Sequence, residues 1–368
     1  MKAYLILENK TVFCGEAFGA INEAVGEIVF TTTMGSYIET LTDPCYHGQI
    51  IVQSYPLIGN YGMIYSDMES SKIHAKGYVV REICDIPSNF RCEGTLDSFL
   101  KEQGIMGICG IDTREITKII REEGTMKAII TTKEPDSAEF TLAETKDAVA
   151  TVSTKEKYTV GEGKIKIGLL DLGTTKSAVN NLASRGASVD VLPYSTKADE
   201  LLSYDAIYLS DGPGNPDDCG DIIEEIKKVF GRKPILATGL GHQLLAMANG
   251  AKCEKLHHGH HGANQPVKQI ESGRVYITAQ NHNFAVTSST LPEFAKVTYE
   301  NLNDKSVEGI EYEGKNAVSI QFRLVEGEGP NETGFLYDKY FEKHKNKAKQ
   351  YEIERLQAEL NRLKGGSK

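Results

Sequence analysis

The chain has 368 residues, of which 40% are hydrophobic and 25% charged, and its formal net charge is −10. This composition is typical of a soluble globular protein of about two domains, and the acidic balance disfavours a nucleic-acid partner because phosphates would repel it. No apolar run approaches the roughly 20 residues of a membrane span, and the N-terminus lacks the pattern of a signal peptide. We therefore expect a cytoplasmic protein that binds neither nucleic acid nor membrane.

The first part of the chain, residues 1–131, predicts a β-rich domain. Short apolar and β-branched runs alternate with turns that contain glycine or proline, which is the pattern of strands in a sheet. Two helices are predicted, one over 96–104 and one over 113–124. The second helix has Asp112 or Thr113 as its N-cap and isoleucines at helical spacing.

The middle of the chain changes character. Residues 132–163 are polar and predict a linker that contains a short helix over 142–152. From residue 164 to 342, strands and helices alternate at the spacing of a doubly wound parallel sheet. Predicted strands cover 166–170, 188–193, 206–210 and 235–238, and predicted helices cover 176–185, 221–230 and 241–249. In such sheets, sites lie at the carboxyl ends of strands.

The last segment, 343–368, is charged and predicts an amphipathic helical tail. Its apolar residues Ile353, Leu356, Leu360 and Leu363 follow one another at spacings of three and four, which places them on one helix face. Two such repeats are too few for an independent coiled coil. The helix either packs loosely on its own domain or docks on a partner.

A strand that ends in a tight turn and enters a helix lies at 235–249. In hydrolases with this arrangement, the turn presents a serine or cysteine nucleophile at the edge of the sheet, beside a helix N-terminus that stabilises negative charge. Here the residue in that position is Gly239, within the segment ATGLGHQ (237–243). We therefore predict that this turn supplies no nucleophile for hydrolysis.

Eight short motifs carry a resemblance to a known family over residues 1–342: LTDP (41–44), IGNYG (58–62), GIDTR (110–114), DGPG (211–214), GHQLL (241–245), GHHG (259–262), QNH (280–282) and NLND (301–304). In this order they resemble the small, glutaminase subunit of carbamoyl-phosphate synthetase, a class I glutamine amidotransferase. The resemblance implies a β-rich N-terminal domain that docks on a large synthetase subunit. It also implies a doubly wound amidotransferase domain that supplies ammonia to that subunit.

The family's reaction uses a cysteine nucleophile, a histidine base and a glutamate that orients the histidine. By resemblance, the cysteine position is Gly239, the histidine position is Arg323 and the glutamate position is Val325. Arginine stays protonated at neutral pH and cannot act as a base, and valine has no lone pair. All three catalytic positions are therefore predicted to be vacant.

The resemblance also implies a ligand-binding pocket. A serine that contacts glutamine in the family is replaced by Cys45, and a glycine that leaves room for glutamine is replaced by Asn283. The oxyanion hole would consist of the N–H groups of Gly214 and Leu240, a pair that could still hold a carboxylate or carbonyl. The predicted ligand-binding set is Cys45, Gly212, Gly214, Leu240, Gln243, Asn281, Asn283 and Phe284.

Two other features suggest chemistry, each with a simpler interpretation. Cys45 could replace the missing nucleophile, but no helix N-terminus or base is evident to activate it, so a passive exchange of serine for cysteine is favoured. The cluster His257, His258, His260 and His261 suggests a metal site. The related family carries GHHG there without a metal, and we expect neither metal nor cofactor.

The sequence is compatible with three functions. The first is a non-hydrolytic subunit that pairs with a large synthetase-like subunit and leaves free ammonia as the nitrogen donor. The second is a binding module in which Arg323 and Asn283 hold a small anionic ligand, or the tail holds a protein. The third is a glutaminase that works by a non-standard route through Cys45. We favour the first, because the docking motifs persist while the catalytic residues do not.

Overall fold

A computed structural model describes residues 1–135, 147–324 and 332–340 of the chain. The first 135 residues form a closed barrel of seven strands, in the order β1-β2-β8-β6-β4-β3-β9, while β5 and β7 pair beside it. The nine strands are β1 (Lys2–Leu7), β2 (Val12–Gly19), β3 (Ala24–Thr31), β4 (Gln49–Gln53), β5 (Leu57–Ile58), β6 (Gly77–Val79), β7 (Glu82–Ile83), β8 (Met106–Cys109) and β9 (Met126–Thr131).

Three helices accompany the barrel: α1 (Tyr37–Thr42), α2 (Leu96–Glu102) and α3 (Thr113–Glu123). The two predicted helices, 96–104 and 113–124, are confirmed to within two residues. The side chain of Asp112 caps α3, because its Oδ1 accepts hydrogen bonds from the N–H groups of Arg114 and Glu115 at 3.1 Å each, which satisfies donors that the helix itself leaves unpaired.

The second part of the chain forms one ten-stranded sheet in the order β10-β12-β11-β13-β14-β19-β18-β17-β15-β16. The run from β12 to β19 is parallel, and the strands beyond β19 are antiparallel. The strands are β10 (Tyr158–Val160), β11 (Ile165–Asp171), β12 (Ala187–Pro193), β13 (Ala206–Leu209), β14 (Ile235–Thr238), β15 (Cys253–Gln269), β16 (Val275–Val286), β17 (Ala295–Asn301), β18 (Val307–Tyr312) and β19 (Ala317–Ile320).

Helices cover the parallel part of this sheet, so the predicted class, a β-rich domain followed by a doubly wound domain, is confirmed. The helices are α4 (Ala148–Val152), α5 (Lys176–Ser184), α6 (Ala198–Leu201), α7 (Gly220–Val229) and α8 (Leu240–Ala248). The start of the helix predicted over 142–152, the tail 343–368 and Val325 lie outside the described residues. Within the described ranges, every helix is too short or too polar to cross a membrane.

Several contacts join the barrel to the sheet, among them one set at β15 and one at the start of α5. At the first, the long strand β15 contacts the barrel through the Lys255–Glu27 ion pair (Nζ to Oε1, 2.6 Å) and the Thr32–Asn264 hydrogen bond (2.8 Å). At the second, Glu69 receives the start of α5, because its Oε2 accepts the N–H of Ser177 at 2.9 Å. A carboxylate at a helix N-terminus is electrostatically favourable, so this contact stabilises the junction as well as the helix.

Helix α3 offers a test of how the barrel core is stabilised. Ile120 is fully buried within the core cluster, whereas Ile119, one position earlier on the same helix, is only partly buried. We expect Ile120→Ala to lower the free energy of unfolding by about 2–5 kcal/mol, because the lost side chain leaves a cavity. Ile119→Ala is the matched control and should cost clearly less. Urea unfolding checks both variants, and equal losses would contradict this assignment of the core face.

Candidate functional site

The predicted turn from strand to helix around Gly239, called the elbow below, is present at the carboxyl end of β14. Gly239 adopts φ 51° and ψ −116° and is the N-cap of α8. Its N–H donates to the carbonyl of Ile320 at 3.0 Å, and the N–H of Gly241 donates to the carbonyl of Ser210 at 3.0 Å, so both neighbouring strands hold the turn. A positive φ of this kind suits glycine. The turn has the form that presents a side chain at the sheet edge, and glycine has none to present.

The side chain of Asp211 occupies the space above Gly239. Its Oδ1 accepts hydrogen bonds from the N–H groups of Gly212 at 2.8 Å and Leu240 at 2.9 Å. A Cβ atom built on Gly239 would lie 1.8 Å from that same oxygen. The N–H of Leu240, which the resemblance implied as half of an open oxyanion hole, therefore points at a carboxylate of the protein itself. Gly214, the other expected donor, lies further along the same loop with φ 98°.

Arg323 follows β19 and is buried, with 8% of its surface exposed. Its guanidinium forms an ion pair with the fully buried Asp43, which lies directly after α1 in the barrel. Burial raises the pKa of the Asp211 carboxyl, and the charge of Arg323 acts against that rise. Arg323 thus balances carboxylates that belong to the protein, whereas the alternative of a binding module requires it to bind an external anion.

Cys45 lies beside this charge cluster, buried to 5% exposure, and its N–H donates to Oδ1 of Asp43 at 2.9 Å. Burial raises the pKa of the Cys45 thiol well above its usual range, and the nearby carboxylates of Asp211 and Asp43 raise it further. A nucleophilic cysteine needs a lowered pKa. The surroundings of Cys45 therefore favour an inert thiol.

The opposite wall of the expected pocket is held by side-chain amides. Gln243 donates from Nε2 to the carbonyl of Phe284 at 2.8 Å and to Oε1 of Gln321 at 3.0 Å. Asn283 donates from Nδ2 to Oε2 of Glu27 in the barrel at 2.8 Å, and its Oδ1 lies 2.8 Å from Nε2 of His261. The other nitrogen of His261, Nδ1, lies 2.7 Å from Oδ1 of Asn281. These side chains are therefore hydrogen-bonded to one another, to the backbone or to the barrel.

The space between Arg323, Asp211 and Thr238 is almost filled. A cavity of about 20 Å³ remains there, which is room for a single water molecule. Asp211 lines this cavity, Asp43 pairs with Arg323, and Glu27 accepts from Asn283. The sequence alone assigned these three carboxylates no role. Arg323, just after an apolar strand, could have indicated them, because a buried guanidinium requires carboxylate partners.

The histidine cluster contains an internally paired charge network. His260 contacts Oδ2 of Asp304 through Nε2 at 2.9 Å and Oε1 of Gln280 through Nδ1 at 2.9 Å. The buried Glu308 accepts from Nε2 of Gln280 at 2.9 Å and lies 3.5 Å from Nδ1 of His260. Burial alone would lower the pKa of His260, but Asp304 and Glu308 outweigh it and raise the pKa to about 9.

Three members of this region have a spacing that a metal ion could bridge. The ligand atoms of His260, His282 and Glu308 lie within 4.8 Å of one another. However, both nitrogens of His260 contact oxygen acceptors, and Glu308 is bonded to Gln280. An imidazole that donates from both nitrogens is protonated and offers no lone pair to a metal. We therefore assign these residues to the structural charge network.

The raised pKa of His260 gives a pH prediction. Because its folded-state pKa of about 9 exceeds the unfolded value of 6.5, the stabilisation by His260 is complete below pH 6.5 and is lost as the pH rises through 9. We expect the wild-type protein to lose up to ~3 kcal/mol of unfolding free energy from this source. His260→Gln should lack this alkaline loss, whereas the control His257→Gln, on the same strand, should retain it. Urea unfolding at several pH values measures the slopes, and identical slopes for all three proteins would refute the assignment.

Comparisons with known proteins agree with this architecture. The family model described as carbamoyl-phosphate synthase small chain, CPSase domain, matches residues 5–130, and the model of class I glutamine amidotransferases matches residues 168–342. Carbamoyl phosphate synthase small chains are similar over nearly their whole length. The protein of Clostridium perfringens is 46% identical (92% of this chain, 99% of the relative), that of Archaeoglobus fulgidus 44% (92% and 98%) and that of Listeria monocytogenes 43% (93% and 96%). The chain therefore belongs to the carbamoyl-phosphate synthase small chain family.

Proposed function

We propose that this protein is a non-hydrolytic small subunit, which assembles with a large carbamoyl-phosphate synthase subunit in the cytoplasm and leaves ammonia as the nitrogen donor. The single observation that carries the proposal is the state of the elbow. Gly239 offers no nucleophile, and the adjacent N–H donors of Gly212 and Leu240 are bonded to Asp211. A glutaminase needs both a nucleophile and open donors for the oxyanion.

The other two catalytic roles support the same proposal. If Arg323 stands where the family has its histidine, the base is replaced by a cation that is already paired with Asp43 and does not release its proton near neutral pH. Val325 would stand in the position of the glutamate, by sequence alone. Loss of even one such residue typically lowers turnover by several orders of magnitude.

The persistence of the rest of the molecule supports a role in assembly. The chain aligns with 99% of the length of the Clostridium perfringens small chain, so its body has not been shortened relative to that relative. In the proposed arrangement, a barrel domain of residues 1–131 docks on the large subunit, a linker covers 132–163, and a domain of residues 164–342 keeps the amidotransferase shape. The tail 343–368 is a further candidate for partner contact.

The alternative of an anion-binding module has less support. It requires Arg323 and the N–H of Leu240 to be available, and Asp43 and Asp211 respectively engage them. A glutaminase that works through Cys45 also has less support, because the pKa of that thiol is raised. A thermal-shift screen with dicarboxylic and amino acids separates the first alternative from our proposal, since only an anion-binding module would be stabilised.

The proposal predicts what co-purifies and which nitrogen source is used. A tagged copy expressed in its native cell should bring down a large synthase subunit in near-equal amount. The purified complex should form carbamoyl phosphate from ammonia, whereas glutamine should support less than about a thousandth of that rate, because no acyl-enzyme can form at Gly239. Measuring both rates on one preparation provides the comparison.

Cys45→Ser is the matched control for this measurement. The variant should leave the ammonia-dependent rate and the residual glutamine rate unchanged, because Cys45 carries neither. Comparable rates with glutamine and ammonia in the wild-type complex would refute the proposal, and a glutamine rate that disappears in Cys45→Ser would assign the chemistry to Cys45. Absence of any large subunit from the purified material would refute the assembly role.

A further inference from the structure

Asp211 does more than cap a helix. The N-cap of α8, Gly239, has no side chain to satisfy the first N–H groups of the helix. Asp211 supplies the acceptor from the loop after β13, 29 residues away in sequence. A second donor, the N–H of Gly212, meets the same oxygen at 2.8 Å. Two backbone donors that converge on one oxygen form the arrangement with which proteins hold an external oxyanion.

The charges around Asp211 also match those of an anion site. Arg323 and Asp211 line the same small cavity, and the positive charge of Arg323 favours the ionised form of Asp211. Asp43 forms an ion pair with Arg323 and so balances the positive charge of its guanidinium. The region therefore holds a carboxylate through two N–H donors, a helix N-terminus and a nearby guanidinium.

The position of Asp211 is coupled to the identity of residue 239. A Cβ atom on Gly239 would lie 1.8 Å from Oδ1 and 2.0 Å from Cγ of Asp211, distances that no two non-bonded atoms tolerate. Any side chain at 239, including a cysteine, would have to displace the Asp211 carboxylate. A side chain at position 239 and the carboxylate of Asp211 thus require the same space. The carboxylate can occupy it because residue 239 is glycine.

We infer that Asp211 is a built-in ligand of the oxyanion site, which closes the site to external anions and to the carbonyl of an amide substrate. The site remains constructed for a carboxylate, so a variant that lacks the Asp211 side chain should bind a small monocarboxylate such as formate in its place. This inference is independent of the partnership proposed above. Formate binding can fail while the complex with a large subunit forms, and the reverse is equally possible.

The first experiment is chemical rescue of Asp211→Ala. In sodium chloride, the variant should melt below the wild type, because two N–H donors lose their acceptor. In sodium formate at equal ionic strength, its melting temperature should rise by several degrees, since a ligand that binds the folded state stabilises it. The wild type should show no such rise, because Asp211 already fills the site.

Two controls test whether the effect is specific to the carboxylate. Leu236→Ala also opens a cavity, in β14 just before the elbow, but that cavity is apolar, and formate should leave its melting temperature unchanged. Formamide, a neutral molecule of similar shape, should not rescue Asp211→Ala. A formate shift of the same size in Asp211→Ala, Leu236→Ala and wild type would overturn the inference, as would the absence of any shift in Asp211→Ala. Should Asp211→Ala fold only in formate and not in chloride, that result supports the inference, and failure to fold in both salts counts against it.

A double-mutant cycle supplies a second, ligand-free test. Gly239→Ala should lower the melting temperature strongly in the wild-type background, through both the positive φ and the collision with Asp211. In the Asp211→Ala background the collision is removed while the backbone strain remains, so the same substitution should cost clearly less. The strain is common to both backgrounds and cancels in the cycle. Equal losses in the two backgrounds would show that Asp211 does not occupy the place of a side chain at position 239.

Discussion

The buried ion pair between Asp43 and Arg323 is the interaction on which the altered site depends. The two residues are 280 positions apart in sequence, one at the end of α1 and the other just after β19, and both are buried. An unpaired charge in such a place is strongly destabilising, whereas a well-bonded pair can persist. The pair therefore fixes the end of the barrel against the carboxyl ends of the parallel strands, next to the elbow.

The polar groups around Gly239 are satisfied from within the molecule. In an enzyme, the N–H donors of an oxyanion hole bind the substrate. In the free state they are therefore not bonded to other groups of the protein. Here the N–H of Leu240 is bonded to Asp211, and Asn283 bridges His261 to Glu27 of the barrel. A buried donor without a partner is costly, so each internal bond stabilises the chain at the expense of ligand binding.

The sequence was informative wherever the signal was local. Helix α3 has a capping Asp112 and a periodic apolar face, and both were read from neighbouring residues. The strand and helix around Gly239 were found in the same way. In contrast, β15 and β16 are 17 and 12 residues long and rich in histidine, asparagine and glutamine. Their polar residues point into an interior network, which conceals the alternation that identifies a strand.

The pairing of distant charges could not be predicted from the sequence. Only the alternative hypothesis gives Arg323 a partner, a ligand anion, because nothing near Arg323 in the sequence identifies Asp43 as its partner. Asp211 was visible only as the first residue of a glycine-rich loop. Both roles depend on the tertiary topology. The closure of the barrel and the strand order of the sheet bring α1 close to the carboxyl ends of β13 and β19.

On the proposal that the protein is non-hydrolytic, the packing around Gly239 distinguishes a reorganised site from a damaged one. A site that had merely lost its cysteine would retain a cavity and open donors, and restoring one residue could restore binding. Here the remaining cavity is about 20 Å³, Asp211 occupies the place of the missing side chain, and a cation balanced by Asp43 stands beside it. A side chain introduced at position 239 alone would collide with Asp211, so a nucleophile at this position would require a further change at position 211. Two of the internal contacts, Asp43–Arg323 and Glu27–Asn283, also hold the barrel and the sheet together.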